Sequence, residues 1–141
     1  MSAARPGSLE VSGWIIDLPA LIEVAEATDY AGSVEETARR LGLTLLVPLP
    51  VLDEAWAGQE HVKQRDRLAK LYLPRGPWMP ARYADVPTPL LATHTEICDG
   101  DTALGLVAAL AHLRGWPVVT SDRRGKLLTD AAPGVLTVPC N

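Results

Sequence analysis

Short apolar runs alternate with helix-patterned stretches along this chain, and several of the runs give way to an acid. Trp14-Ile15-Ile16 is followed by Asp17, the Leu43–Leu52 run by Glu54, and Val118-Val119-Thr120 by Ser121-Asp122. Runs of three to five apolar residues with β-branched members suit strands buried on both faces. Alternation with helices makes those strands parallel and their connections right-handed crossovers. The expected fold is therefore α/β, three layers with a central, mostly parallel sheet. Acids at strand ends of such a sheet converge on the crevice outside its carboxyl edge.

The pattern along the chain supplies the element boundaries. Residues 1–10 are small and polar and read as a loose terminus, leaving 11–141 as one domain. Strands are expected at Val11–Asp17, Thr44–Val47, Trp116–Thr120 and Val135–Val138. Pro19 suits the first turn of a helix through Ala25. Ser33-Val34-Glu35-Glu36 has the form of a capping box, opening a helix that stops at Gly42. A long helix is expected from Pro50 to Leu73. Five prolines between 74 and 89 argue against a regular helix or central strand there. A further helix runs from Thr102 to Arg114 and stops at Gly115.

Composition narrows the class. With 48% hydrophobic and 21% charged residues in 141, the chain has the makeup of a globular domain. Phe is absent, so four Trp and three Tyr carry the aromatic packing. No apolar run reaches the roughly 18 residues of a membrane span. Cys98 and Cys140 form no CxxC pair and read as free thiols of a reducing cytoplasm. The net charge of −4 hides a segregation: residues 1–58 hold nine acids against three bases. Lys63, Arg65, Arg67, Lys70, Arg75 and Arg82 then face only Glu60 and Asp66, and Arg123-Arg124 follows Asp122. Acids flanked by bases are what a metal-dependent nuclease needs, since the bases bind phosphates and the acids a cation.

Four carboxylates are candidates for that cation: Asp17, Glu54, Asp101 and Asp122. Each has a plainer role open to it, as a helix cap at Asp17 and Asp101, a first-turn acid at Glu54 and a turn former at Asp122. Glu54 is preferred to Asp53 because it shares a helix face with Val51, where an acid needs a partner. Asp99 competes with Asp101 for the third place. Oxygen donors without clustered His or Cys suit Mg²⁺ or Mn²⁺. Thr120 and Ser121 stand where they would position a water or an acid. Arg123, Arg124, Lys63 and Arg67 are candidate contacts to nucleic-acid phosphates.

The order of these segments resembles the PIN-domain superfamily, and among its members the VapC-type toxins. It runs strand–Asp–helix, VPLPVLDEAW, an acid-led alanine-rich helix, then GWPVVTSDRR. Asp17, Glu54, Asp101 and Asp122 match the family's acidic quartet. The resemblance implies an Mg²⁺- or Mn²⁺-dependent endoribonuclease with a cognate antitoxin protein as partner; a homodimer is also expected. Two positions depart from the family pattern. Pro19 replaces a small hydroxyl residue, and Leu104 stands at the third acid's usual place, with Asp101 one helical turn earlier, about 4.5 Å along the axis. These departures leave open a catalytically weak or inactive binding module.

Overall fold

The computed structural model describes residues 12–139, so the expected loose terminus, Val11 and Cys140 lie outside the described residues. Five strands form one sheet: β1 Gly13–Ile16, β2 Thr44–Pro48, β3 Trp78–Ala81, β4 Val118–Thr120 and β5 Val135–Thr137. Their spatial order is β3-β2-β1-β4-β5, and every pairing is parallel. Ile15 sits opposite Leu46 on one side and Val118 on the other. Ile15, Ile16, Leu45, Leu46, Val47, Val118 and Val119 are all buried, as strands covered on both faces must be. Gly13 permits the β1–β2 approach: a methyl there would lie 2.3 Å from the Thr44 carbonyl oxygen and 2.7 Å from the Trp116 ring.

Among the described residues, seven α-helices complete the fold: α1 Leu18–Ala25, α2 Asp29–Leu41, α3 Leu49–Ala57, α4 Val62–Ala69, α5 Thr88–Ile97, α6 Thr102–Arg114 and α7 Asp122–Gly125. The chain travels outward from β1 to β3, then returns past β1 to β4 and β5. With right-handed crossovers, outward and return connections leave their helices on opposite faces of the sheet, giving three layers. The order reverses between β1 and β4, the topological switch point where such sheets place their binding crevice.

Helix α6 is the centre of the return layer. Leu104 through Ala111 are all buried, against β1 and β2 on one side and α5 on the other. An all-apolar helix needs burial on every side. The α5–α6 crossing is tight because position 105 is glycine; a methyl there would fall 2.8 Å from the Thr95 Cα. The Thr95 hydroxyl at this contact is buried and has no hydrogen-bond partner. Farther along, His94 Nε2 and His112 Nδ1 lie 3.2 Å apart. Burial, then the neighbouring His112, pull the His94 pKa below its ordinary value.

Two expectations need correction, and the proline-dense segment adds two elements that the sequence pattern did not show. Helix α2 opens at Asp29, not Ser33, because the Thr28 hydroxyl accepts from the Ala31 N–H and donates to the carboxylate of the buried Glu23 at 2.9 Å. The long 50–73 helix breaks at Gly58, a weak helix former. Arg65 braces that break by donating to the Gln59 carbonyl at 2.8 Å and stacking 4.2 Å over Trp56. The proline-dense segment holds β3, where Pro80 is tolerated because the strand is an edge. It then launches α5, whose first turn accommodates Pro89. Gly42 and Gly115 end α2 and α6 as expected, both in the left-handed conformation.

Candidate functional site

Asp17 ends β1 at the switch point and is fully buried. Its backbone carbonyl accepts the first turn of α1 from Ala20 and Leu21. Its side chain makes no helix-capping bond. Both carboxylate oxygens turn toward β4 instead. The buried Thr120 hydroxyl donates to Oδ2 at 2.6 Å. Arg124 grips the same carboxylate with two N–H groups, Nε to Oδ2 at 2.6 Å and Nη2 to Oδ1 at 3.0 Å. A forked guanidinium–carboxylate pair is the strongest ion-pair geometry side chains offer. It also answers the need of a fully buried charge for a partner.

The register of the short α7 explains why arginine reaches this point. Ser121 caps it by accepting the Arg124 N–H at 3.3 Å. That turn carries Asp122 outward toward β5 and brings Arg124 back over the end of β1. Burial on its own would lower the Arg124 pKa. The hydrogen bonds and charge of Asp17, with the charges of Glu54 and Asp101, outweigh it and raise the pKa above its ordinary value. Of the four expected acids, Asp17 is the one paired with this cation among the described residues.

Beside Arg124 opens a cavity of about 580 Å³, lined among others by Cys98, Asp99, Asp101, Ser121 and Arg123. The Cys98 thiol is buried there, and burial, then the charges of Asp101 and Asp99, push its pKa up. Asp101 is exposed, and its side chain caps α6 by accepting the Leu104 N–H at 3.0 Å. Asp99 is exposed in the left-handed conformation at φ 58°. Leu104, at the place of an expected acid, is buried on the cavity wall.

Not every expected site residue arrives. Asp122 is exposed and accepts a bond from the Thr137 hydroxyl at 3.1 Å, so it belongs to the β5 side and not to the crevice. Glu54 is exposed rather than set on the apolar face of α3, whose buried residues are Val51, Leu52 and Ala55. Its neighbour Asp53 is engaged by the Tyr72 hydroxyl at 2.5 Å. Arg67 does not present a free cation: its Nη1 donates to the Ala25 carbonyl at 2.8 Å, finishing the C-terminus of α1. Lys63 and Arg123 are exposed and available to phosphates. Arg124, expected to meet RNA, meets Asp17.

Asp17, Glu54 and Asp101 carry the oxygen donors that a hard divalent ion prefers, but among the described residues no three carboxylate, thiol or imidazole groups gather closely enough to hold one. Comparison with family models, with curated proteins and with solved structures finds no match.

Proposed function

We propose that this chain is a PIN-like, Mg²⁺- or Mn²⁺-dependent endoribonuclease of the VapC type, the toxin of a toxin–antitoxin pair. The single observation that carries the reading is the buried Asp17 at the switch point of a five-stranded parallel sheet. A bound divalent ion would supply a water of lowered pKa and charge for the phosphoryl oxygens. Asp17 would be its principal ligand. Thr120 fixes the orientation of that carboxylate through the 2.6 Å hydroxyl bond, so the ligand is held before anything binds. Asp101, exposed, contributes a carboxylate to the cavity wall. Arg123 and Lys63 attract flanking phosphates, which positions an RNA strand without reading its sequence.

A single-stranded RNA incubated with Mn²⁺ tests this. Wild type is expected to cleave it, and Asp17→Asn to cut at least about 100-fold more slowly. Cleavage by Asp17→Asn at the wild-type rate would remove Asp17 from the chemistry.

A second reading is a catalytically weak or inactive PIN-like binding module. The capture of both Asp17 oxygens by Arg124 and Thr120 favours it, as does the departure of Asp122. RNA retention by wild type in a filter-binding assay, with no cleavage at any Mn²⁺ concentration, decides for this alternative.

A further inference from the structure

We infer that α5 is a proton-released helix: the His94–His112 pair latches it to α6, and a second proton on that pair frees it. The inference stands apart from the metal-dependent reading above.

Little else holds α5 in place. His94 is its one buried residue; Leu90 and Leu91 are half-buried, and Thr93, Glu96 and Ile97 are exposed. Among the described residues, α6 is the only element against which α5 packs broadly. The buried Thr95 hydroxyl at the same contact lacks a hydrogen-bond partner, which is a cost to the closed arrangement. A helix anchored by an imidazole has an anchor whose charge changes near neutrality.

The hydrogen bond between the rings fixes how many protons the latch tolerates. Nitrogens 3.2 Å apart share one hydrogen, so one ring donates and the other accepts. The neutral pair meets that condition. So does the pair with one added proton on the exposed His112, whose Nδ1–H then donates to His94 Nε2. A further proton on His94 leaves two N–H groups face to face and two positive charges in contact, one of them buried. No neighbour offsets that charge. The other ionisable group of α5 is the exposed Glu96, and α6 brings Arg114 beside His112, with Asp101 capping its opposite end. Neither ring has a carboxylate partner among the described residues. Burial and His112 accordingly hold the His94 pKa below its ordinary value. The open arrangement takes the proton more readily, so opening gains as pH falls below about 6.5, by up to about tenfold per pH unit.

The freed helix carries part of the cavity wall with it. The Cys98 N–H donates to the His94 carbonyl at 2.9 Å, and the Cys98 thiol is buried on the wall of the cavity of about 580 Å³. Release of α5 exposes that thiol.

Thiol labelling of the full chain tests this. Cys140→Ser leaves Cys98 as the one thiol, and dithiodipyridine reacts with thiols at acid pH. The rate in the native chain, divided by that in denaturant at the same pH, reports opening alone. Between pH 7.5 and 5 this ratio should rise at least about tenfold, and stay level when His94→Gln is added. His112→Gln, on the exposed side of the pair, serves if His94→Gln fails to fold. It removes one of the two charges, and its amide oxygen can accept from a charged His94, so its rise should be at most about half that of wild type. A level ratio with both histidines present overturns the inference, and so does an equal rise in both variants. Far-UV circular dichroism should keep most of its helical signal across the same range. Its collapse in step with labelling would mean that the whole chain opens, and local release of α5 would be refuted.

Discussion

Adding one methyl at each of two helical glycines should move stability in opposite directions. Gly32 and Gly105 both lie inside helices, α2 and α6, so replacement by alanine gains about 1 kcal/mol of helix propensity at either. Around Gly32 nothing lies within 4 Å of the added methyl, and the gain stands alone. At Gly105 the methyl would meet Thr95 Oγ1 at 2.3 Å, Cα at 2.8 Å and Cβ at 3.0 Å. The hydroxyl could rotate away, but the Cα belongs to the backbone of α5. Ordinary contact begins near 3.4 Å, so α5 and α6 must separate by more than half an ångström along much of their length. Overpacking of this kind costs about 1–3 kcal/mol, and a backbone contact puts it at the upper end. After the propensity gain, Gly105→Ala should be destabilised by about 2 kcal/mol. For a chain of this size that lowers the melting temperature by about 4–8 °C, while Gly32→Ala raises it by about 2–4 °C. Circular dichroism melts of the two variants beside wild type supply the comparison. A Gly105→Ala protein that melts at or above the wild-type temperature would mean that α5 and α6 are not in close contact, and the placement of Asp101 at the start of α6 would lose its support.

Other outcomes follow from the same contacts. Thr120→Val removes the hydroxyl that donates to the buried Asp17, leaving that acceptor short of a partner at a cost of about 1–3 kcal/mol; an unchanged denaturant midpoint would rule out the bond. His94 is held below its ordinary pKa, so the unfolded chain takes up a proton there more readily than the folded one. Its contribution is therefore fully present above about pH 6.5 and is lost as pH falls below that value. Denaturation followed between pH 7.5 and 5 should show a steeper loss for wild type than for His94→Gln, and parallel curves would dismiss the His94–His112 contact as a cause. In the cleavage assay, Asp122→Asn should retain most of the wild-type rate where Asp17→Asn does not, since Asp122 faces Thr137. Comparable losses in both would return Asp122 to the site.

Much of the fold was legible because its central strands advertise themselves. Trp14-Ile15-Ile16, Leu45–Val47 and Val118-Val119 are apolar on consecutive positions, which only a strand covered on both faces or a buried helix tolerates, and their brevity excludes the helix. The strand-end rule then located Asp17 without reference to any other residue. What escaped the sequence depends on contacts distant along the chain. β3 and α5 hid among prolines whose effect depends on whether a strand is central or at an edge, and on whether a proline falls in a helix's first turn. Asp122 and Arg124 were both visible as charged residues after β4. Which of them turns inward is decided by the Ser121 cap and the phase of a single helical turn, and no pattern of residue types encodes that phase. Arg67 looked like a phosphate contact because the sequence holds no sign that the carbonyl of Ala25, forty-two residues earlier, is waiting for a donor.

The two outer strands carry a further consequence. β3 presents Pro80 in its middle, and β5 is only three residues long with Pro139 close behind it. A proline has no amide hydrogen to offer, and three residues are too few to template a neighbour. Among the described residues, then, neither margin of the sheet invites another chain to add a strand. Any contact with a second copy or a partner protein would then be made by side chains on helix surfaces, such as the exposed Leu41, Val62 and Leu113, and would be tunable by single substitutions, unlike a continued ladder of backbone bonds.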